Sequence, residues 1–519
     1  MDSSSQLHPR SITRRRLLAS SFAVGSLLVA ACSQPAAPAP TAAPAQSAAA
    51  PTKPPATAAP AAAAAPAATP TAAAAAAAPT TAAAPASPTA QPTAQAAPQA
   101  ANGAPVVPLL RSSANEIQFL KDDIALFQKN NPSITVNPVF VPGNQYNQKT
   151  DLMIAAGNPP SLWFPASDRG FKYYSAKGLN MDLDPLIKSD NYDLSDFYPR
   201  GLKGSQWKGH QEALPISEWA WVLFYNKTLF DNAKLPYPPQ DWKDATWTWD
   251  KYLETAKALT VTAGGRATQF GAGLPGDSRD FFSGWTHGGW WFNQDWADSG
   301  WVSKFQPDPA VAEALQYWAD AANKLNVAPT AAAEQSSMAG APDLFMSGKL
   351  AMSPNSIGNL AQYAQITSFE WGMAAWPHPT TLPAHCGIWV DEYSMFAKAA
   401  NPEGSWAFMK HMVSVDGEKI YPMSYGPIPS HQSLGQQWIQ TWKDKMPKVA
   451  DQLSVAVNAV PLQFVTPDNF TVNFSPINDE GIQPQIDKVY LGQLTATAAI
   501  TAMKPKVDQQ IAETTKGAS

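Results

Sequence analysis

Residues 33–104 are almost wholly Ala, Pro, Thr, Gln and Ser, with Lys53 as their only charge, and this tract limits most what the chain can fold into. It has no branched apolar or aromatic side chain to bury, so nothing offsets the entropy of ordering it, and it is predicted to be disordered. The alanine run at 72–78 favours helix locally, but the surrounding prolines stop propagation. A Pro-rich chain of about 70 residues reaches roughly 100–200 Å. The tract therefore reads either as a stalk or as a neutral linker, and its Thr/Pro content invites glycosylation. A packed body is confined to about 105–519, enough for one large or two medium domains.

Ahead of the tract, Arg14, Arg15 and Arg16 precede an apolar run over 17–31, and small residues lead to Cys32. That is the three-part layout of an export signal. The apolar run rises only about 22 Å as a helix, against a hydrocarbon core of about 30 Å, so a spanning anchor fits less well. Val29-Ala30-Ala31-Cys32 resembles a bacterial lipobox, and Thr13-Arg14-Arg15-Arg16-Leu17-Leu18 resembles a twin-arginine signal. Residues 1–32 are expected to be a signal peptide, with Cys32 lipidated as the mature N-terminus.

The formal net charge is −5 and no basic stripe stands out, which argues against nucleic acid as a partner. Cys32 and Cys386 are the two cysteines, so lipidation of Cys32 leaves no intramolecular disulfide. Aromatic residues are in excess, with 19 Trp, 14 Tyr and 21 Phe, and rings beyond the need of a core offer flat apolar surfaces to a ligand.

Periodicity predicts alternating helix and strand. Ile117, Leu120, Ile124 and Phe127 fall at helical spacing before an Asn-Asn-Pro stop, and 134–141 is strand-like. A second helix is predicted over 145–156 and a short strand over 161–164. Asp308-Pro309 and Asn401-Pro402 read as helix starts, with Val311, Leu315, Trp318 and Ala322 inward in the first and Trp406, Met409 and Val413 in the second. The order implies an α/β sheet with crossover helices.

From Leu214 onward the chain resembles the family-one extracellular solute-binding proteins, the maltose-binding-like receptors of ABC importers. The resemblance rests on an ordered set of segments: Leu214-Pro215; Leu223-Phe224-Tyr225-Asn226-Lys227-Thr228-Leu229-Phe230; Pro238-Pro239; Trp249-Asp250-Lys251-Tyr252; Phe345-Met346-Ser347-Gly348-Lys349-Leu350-Ala351-Met352; Asn401-Pro402-Glu403; and Tyr490-Leu491-Gly492-Gln493-Leu494-Thr495. Ser161 stands where the family commonly has an acidic residue.

The resemblance implies a two-lobed periplasmic-binding-protein-like α/β fold of type II, with a multi-crossing hinge and the ligand between the lobes. The first lobe would hold about 105–215 and 377–425, the second about 216–376 and 426–519. It also implies a small-molecule ligand, ABC permease subunits as partners, a monomer, no cofactor, and membrane contact through the lipid anchor alone.

Candidate ligand contacts follow from where strands end. Ser112, Ser113 and Asn115 end the first strand and either bind ligand oxygens or cap the next helix. Trp163 and Asp168 flank another strand end, with Trp163 either in the cleft or in the core. Strand alternation puts Trp219 and Trp221 on one face and Glu218 on the other, so either Glu218 or Trp219 is expected in the cleft. Trp285, His287 and Trp290 surround Gly288-Gly289 in the densest aromatic cluster, suited to stacking on a sugar ring or to core packing. Asn355 follows a predicted strand, Trp389 lies with Asp391 and Glu392 on the returning segment, and Tyr425 sits at a late hinge loop.

Rival chemistries find less support. Asp391-Glu392 and Asp479-Glu480 are adjacent acids rather than a separated pair suited to glycoside hydrolysis. The seven histidines show no ligand-spaced metal motif. Cys386 reads as a buried inert thiol, and a surface adhesion module remains a further alternative. No Arg or Lys falls among the candidate contacts, which favours a neutral carbohydrate over a phosphodiester.

Overall fold

In the first part of the body, apolar runs and helical periods alternate, and a computed structural model shows what they form. It describes residues 103–113, 116–164, 170–274, 284–293, 304–338, 340–380, 382, 385–465 and 474–516. The export segment, Cys32, the Ala/Pro/Thr tract, Asn115 and Asp168 lie outside the described residues.

Strand β1 (Pro108–Arg111), helix α1 (Ile117–Asn130), β2 (Val139–Val141), α2 (Tyr146–Ala155) and β3 (Leu162–Trp163) follow in order. β1 pairs parallel to both β2 and β3, as crossover helices require. The strand expected over 134–141 is shorter than its apolar run. Val136 makes a single bridge to Val106, and Pro138, lacking an N–H, interrupts the ladder before β2.

The longest strand is β4 (Ala213–Asn226), buried along all 14 residues. Covered on both faces, it reads as an apolar run. Helix α3 (Trp249–Leu259), β5 (Arg266–Ala272), α4 (Pro309–Asn323), β6 (Leu350–Ser356) and β7 (Trp371–Ala374) follow. In α4 the inward set Val311, Leu315, Trp318 and Ala322 is buried. The chain then returns through β8 (Cys386–Met395), α5 (Pro402–Met412), β9 (Ile428–Pro429) and α6 (Gly435–Lys443). Asn401 caps α5 by accepting the Gly404 N–H at 2.8 Å.

Along the sheet the order is β2-β1-β3-β8-β4-β6-β5, then Val261–Ala263, with β7 and β9 also on β4 and Gln463–Val465 on β8. β8 runs antiparallel to β4 and β3. Two buried apolar clusters sit along this sheet. One draws on residues 106–216 and 393–421. The other draws on 219–390 and 423–511, with Tyr198 added. The chain passes between them three times: in β4 between Ile216 and Trp219, in β8 between Val390 and Tyr393, and between Tyr421 and Met423.

No helix among the described residues is long and apolar enough to cross a membrane.

Candidate functional site

Where β4 and β8 cross between the two cores, register decides which side chains meet. Trp219 lies opposite Trp389, and Asp391 lies opposite Ser217. Alternation along both strands puts these four on one face. The Asp391 carboxylate uses that placement: its Oδ2 accepts from Ser217 Oγ at 2.9 Å and from Trp219 Nε1 at 2.5 Å. Burial raises the Asp391 pKa, while the Trp219 hydrogen bond, the Arg111 charge and Ser217 oppose the rise.

Trp219 lines a cavity of about 150 Å³. Phe119 of α1 and Tyr425, which ends the short helix Pro422–Tyr425, supply the first-lobe wall. Ile357, Gly358, Leu360 and Ala361, just past β6, and Trp442 of α6 supply the opposite wall. Tyr425 meets Trp219 edge to face with centroids 5.9 Å apart, and stacks on Tyr421 at 6.0 Å. Gly358 lies close under the Trp219 ring: a Cβ there would sit 3.2 Å from it, so a side chain would make the ring shift by a few tenths of an ångström.

A polar flank adjoins this aromatic wall. Burial raises the Tyr425 pKa, the Glu116 charge adds to the rise, and Ser113 and Arg111 oppose it, which puts all three within electrostatic reach of the Tyr425 hydroxyl. Arg111 ends β1. The Glu116 carboxylate accepts the Ser113 N–H at 2.5 Å and the Tyr421 hydroxyl at 3.1 Å. Ser112 is buried, with its N–H on Val141 O. Ring faces from both walls therefore line the cavity, and charged and hydroxyl groups lie beside it.

Several candidate contacts lie away from this cavity. Trp163 is core: it is fully buried, donates to Asn180 Oδ1 at 2.9 Å and packs on Tyr174 and Phe396. Between Glu218 and Trp219, Trp219 alone lines the cavity. Glu218 points to the other face of β4, where Oε1 accepts from Ser430 Oγ at 3.3 Å against Gly201. Burial raises its pKa well above the carboxylate range, and Glu418, Asp391 and Glu392 add to that.

Trp285, His287 and Trp290 sit away from the cavity lining, inside the second core. His287 stacks on Trp249 at 6.0 Å and contacts Tyr317 at 4.9 Å. Burial, helped by His385, lowers its pKa to about 4 and keeps it neutral. Trp285 is buried, and its carbonyl accepts from His385 Nε2 at 2.6 Å. The Trp290 ring meets Trp285 edge-on, and the Trp290 backbone N–H donates to Asp308 Oδ2 at 2.9 Å. Asp308 precedes α4, but its carboxylate serves this loop instead of the helix end.

Asn355 is half-buried, with Oδ1 on the Ser356 N–H and Nδ2 3.4 Å from the Tyr363 hydroxyl. Trp389 is half-buried beside Trp219, against the second core. Ser161 is internal, its hydroxyl accepting the Val107 N–H at 3.0 Å.

Sequence reasoning missed Arg111, Phe119, Gly358, Leu360, Ala361 and Trp442. Arg111 was marked by its place at the end of β1, and Gly358 by following β6. Trp442 carried no local signal. Spacing also missed the one group of His and acid residues close enough for a metal among the described residues. Asp182, Asp184 and His210 are exposed, and His210 Nδ1 lies 3.3 and 3.0 Å from the two carboxylates.

A model of the family described as bacterial extracellular solute-binding protein matches residues 112–419. A putative binding protein of Brucella abortus is 25% identical over 328 residues, covering 61% of this chain and 74% of that protein. Among solved structures, an ABC substrate-binding protein of Listeria monocytogenes in complex with cycloalternan aligns with TM-score 0.62 at 22% identity. That alignment covers 78% of this chain and 98% of that one. The cyclic alpha-maltosyl-1,6-maltose binding protein of Arthrobacter globiformis aligns with TM-score 0.62 at 17% identity, over 79% and 99%. The solved structures share the two-lobed α/β fold of type II binding proteins.

Proposed function

The chain belongs to the bacterial extracellular solute-binding protein family, and from that premise we propose that it captures a carbohydrate between its lobes and hands it to an ABC importer. The observation that carries this reading is the ring-lined cavity at the strand crossings, with Asp391 bonded to Trp219 beside it and Arg111, Ser113 and Glu116 within electrostatic reach of the Tyr425 hydroxyl. A sugar ring has an apolar face that stacks on aromatics and an edge of hydroxyls that charged and polar groups bind. Both kinds of surface converge here. The Listeria protein's complex with cycloalternan and the Arthrobacter protein's naming as a cyclic alpha-maltosyl-1,6-maltose binding protein support the ligand class, and the former's naming as an ABC substrate-binding protein supports the importer.

Phe119 and Tyr425 come from one wall and residues 357–361 and Trp442 from the other. A ligand touching both stabilises the closed arrangement by as much as it binds closed better than open. No step requires covalent chemistry, so bound sugar leaves unchanged. Cys32, lipidated, and the Ala/Pro/Thr tract would hold this extracytoplasmic body near its permease.

The test is a thermal-shift and tryptophan-emission screen of mono- and oligosaccharides on the chain. A concentration-dependent rise in Tm with at least one sugar, and no product released, is expected. A broad panel without response overturns the carbohydrate reading, and turnover revives the hydrolase alternative.

A further inference from the structure

The cavity beside Trp219 has the wrong inner chemistry for a ring bearing hydroxyls at every position. Most of its lining surface is apolar, and several of its polar groups are already used. Trp219 Nε1 donates to Asp391, and Trp442 Nε1 donates to Met423 O at 2.9 Å. The Gly426 carbonyl accepts from Trp438 Nε1 at 3.1 Å, and the Gly426 N–H goes to Pro422 O. The Gly358 N–H is taken by Ser356 Oγ at 3.2 Å, and the Ile357 carbonyl accepts the Leu360 N–H. What the two tryptophans offer is π surface alone, joined by the side chains of Phe119, Ile357, Leu360 and Ala361.

Each hydroxyl buried there without a partner would cost about tenfold to a hundredfold in affinity. Size narrows the occupant further. An apolar cavity of about 150 Å³ accepts one benzene molecule, as an engineered protein cavity of that volume does. The cavity here is about 150 Å³.

Building on the carbohydrate reading, we propose that this cavity is a subsite for a hydroxyl-poor six-membered ring, the aromatic ring of an aryl glycoside. The glycosyl hydroxyls then remain on the polar flank by Arg111, Glu116 and Asp391. Tyr425 joins the two halves, with its ring on the cavity and its hydroxyl on the flank. The chain is thereby selective for sugars carrying an aromatic substituent rather than for plain oligosaccharides.

The experiment pairs phenyl with methyl glycosides across several sugars, by calorimetry on the chain, and adds phenol alone by ligand-observed NMR. Burying the ring is expected to make the phenyl glycoside bind about tenfold to a hundredfold tighter than its methyl partner. Ala361 is exposed and borders the cavity. Ala361→Phe should fill it, bring the phenyl-to-methyl affinity ratio to about one and abolish phenol binding. Equal affinities for the paired glycosides, or phenol binding unchanged by Ala361→Phe, overturn the subsite. Phenol binding that Ala361→Phe removes, with no glycoside bound at all, supports the cavity and overturns the carbohydrate reading instead.

Discussion

Two tryptophan-rich regions of this molecule do opposite jobs. Around Gly288-Gly289, Trp249, Trp318 and Trp376 interlock with Tyr252 and Tyr317, and Trp285 meets Trp290, with ring centroids about 5–6 Å apart. At the strand crossings, Trp219, Trp442 and Tyr425 stand on different segments and leave a cavity. The first cluster is denser in sequence and closes on itself, because α3, α4 and the 284–293 loop all belong to one core. The second is sparse in sequence and stays open, because its rings are set on walls from two cores. Aromatic density thus marks where a lobe is tied together, and spacing across the crossings marks where a ligand fits.

That contrast breaks most sharply with Trp318→Ala. Trp318 is fully buried and donates to Thr286 Oγ1 at 3.1 Å. Its loss should cost about 3–5 kcal/mol of stability by urea unfolding, as large-to-small core changes do. Sugar affinity of the folded fraction should stay within about twofold. Loss of binding with the fold intact would show that the packed cluster is itself the site.

Trp219→Ala should do the reverse. Carbohydrate affinity is expected to fall at least about tenfold, about 1.4 kcal/mol. Calorimetry measures this, and unchanged affinity would remove Trp219 from the site.

The subtlest effect, spread over pH and leaving the cavity untouched, concerns the face of β4 away from it. Glu418 is fully buried with its Oε2 3.0 Å from His431 Nδ1, and burial raises its pKa to about 7 against the pull of His431. Between about pH 4.5 and 7 the folded chain holds a proton that the unfolded chain has released. This stability is full below pH 4.5 and is lost as pH rises through 7. Half-buried Glu212, raised to about 7 chiefly by desolvation, acts in the same direction. Lys172 acts oppositely above pH 7: burial lowers its pKa to about 7, so stability rises with pH towards 10.5. Glu418→Gln should flatten the pH 4.5–7 slope by about 1 kcal/mol per pH unit. Denaturant titrations at several pH values test this, and an unchanged slope would show that Glu418 is already charged in the fold.

Sequence alone determined the elements and the family. Period and punctuation placed α1, α2, α4 and α5, since Asp308-Pro309 and Asn401-Pro402 act within one turn of chain. Alternation foretold that Trp219 and Glu218 face opposite ways, because a strand has a fixed period of two. Which face met the cavity was decided only by tertiary structure, for it depends on β8 and β9 flanking β4 and on what covers each side. The same holds for Trp163, whose strand-end position fitted a cleft until Asn180, Tyr174 and Phe396 closed around it. Arg111, Gly358 and Trp442 lie far apart along the chain, and no local pattern joins them. Local periodicity is a property of one segment, whereas a cavity is a property of the gap between segments, and that gap exists only once both cores have packed.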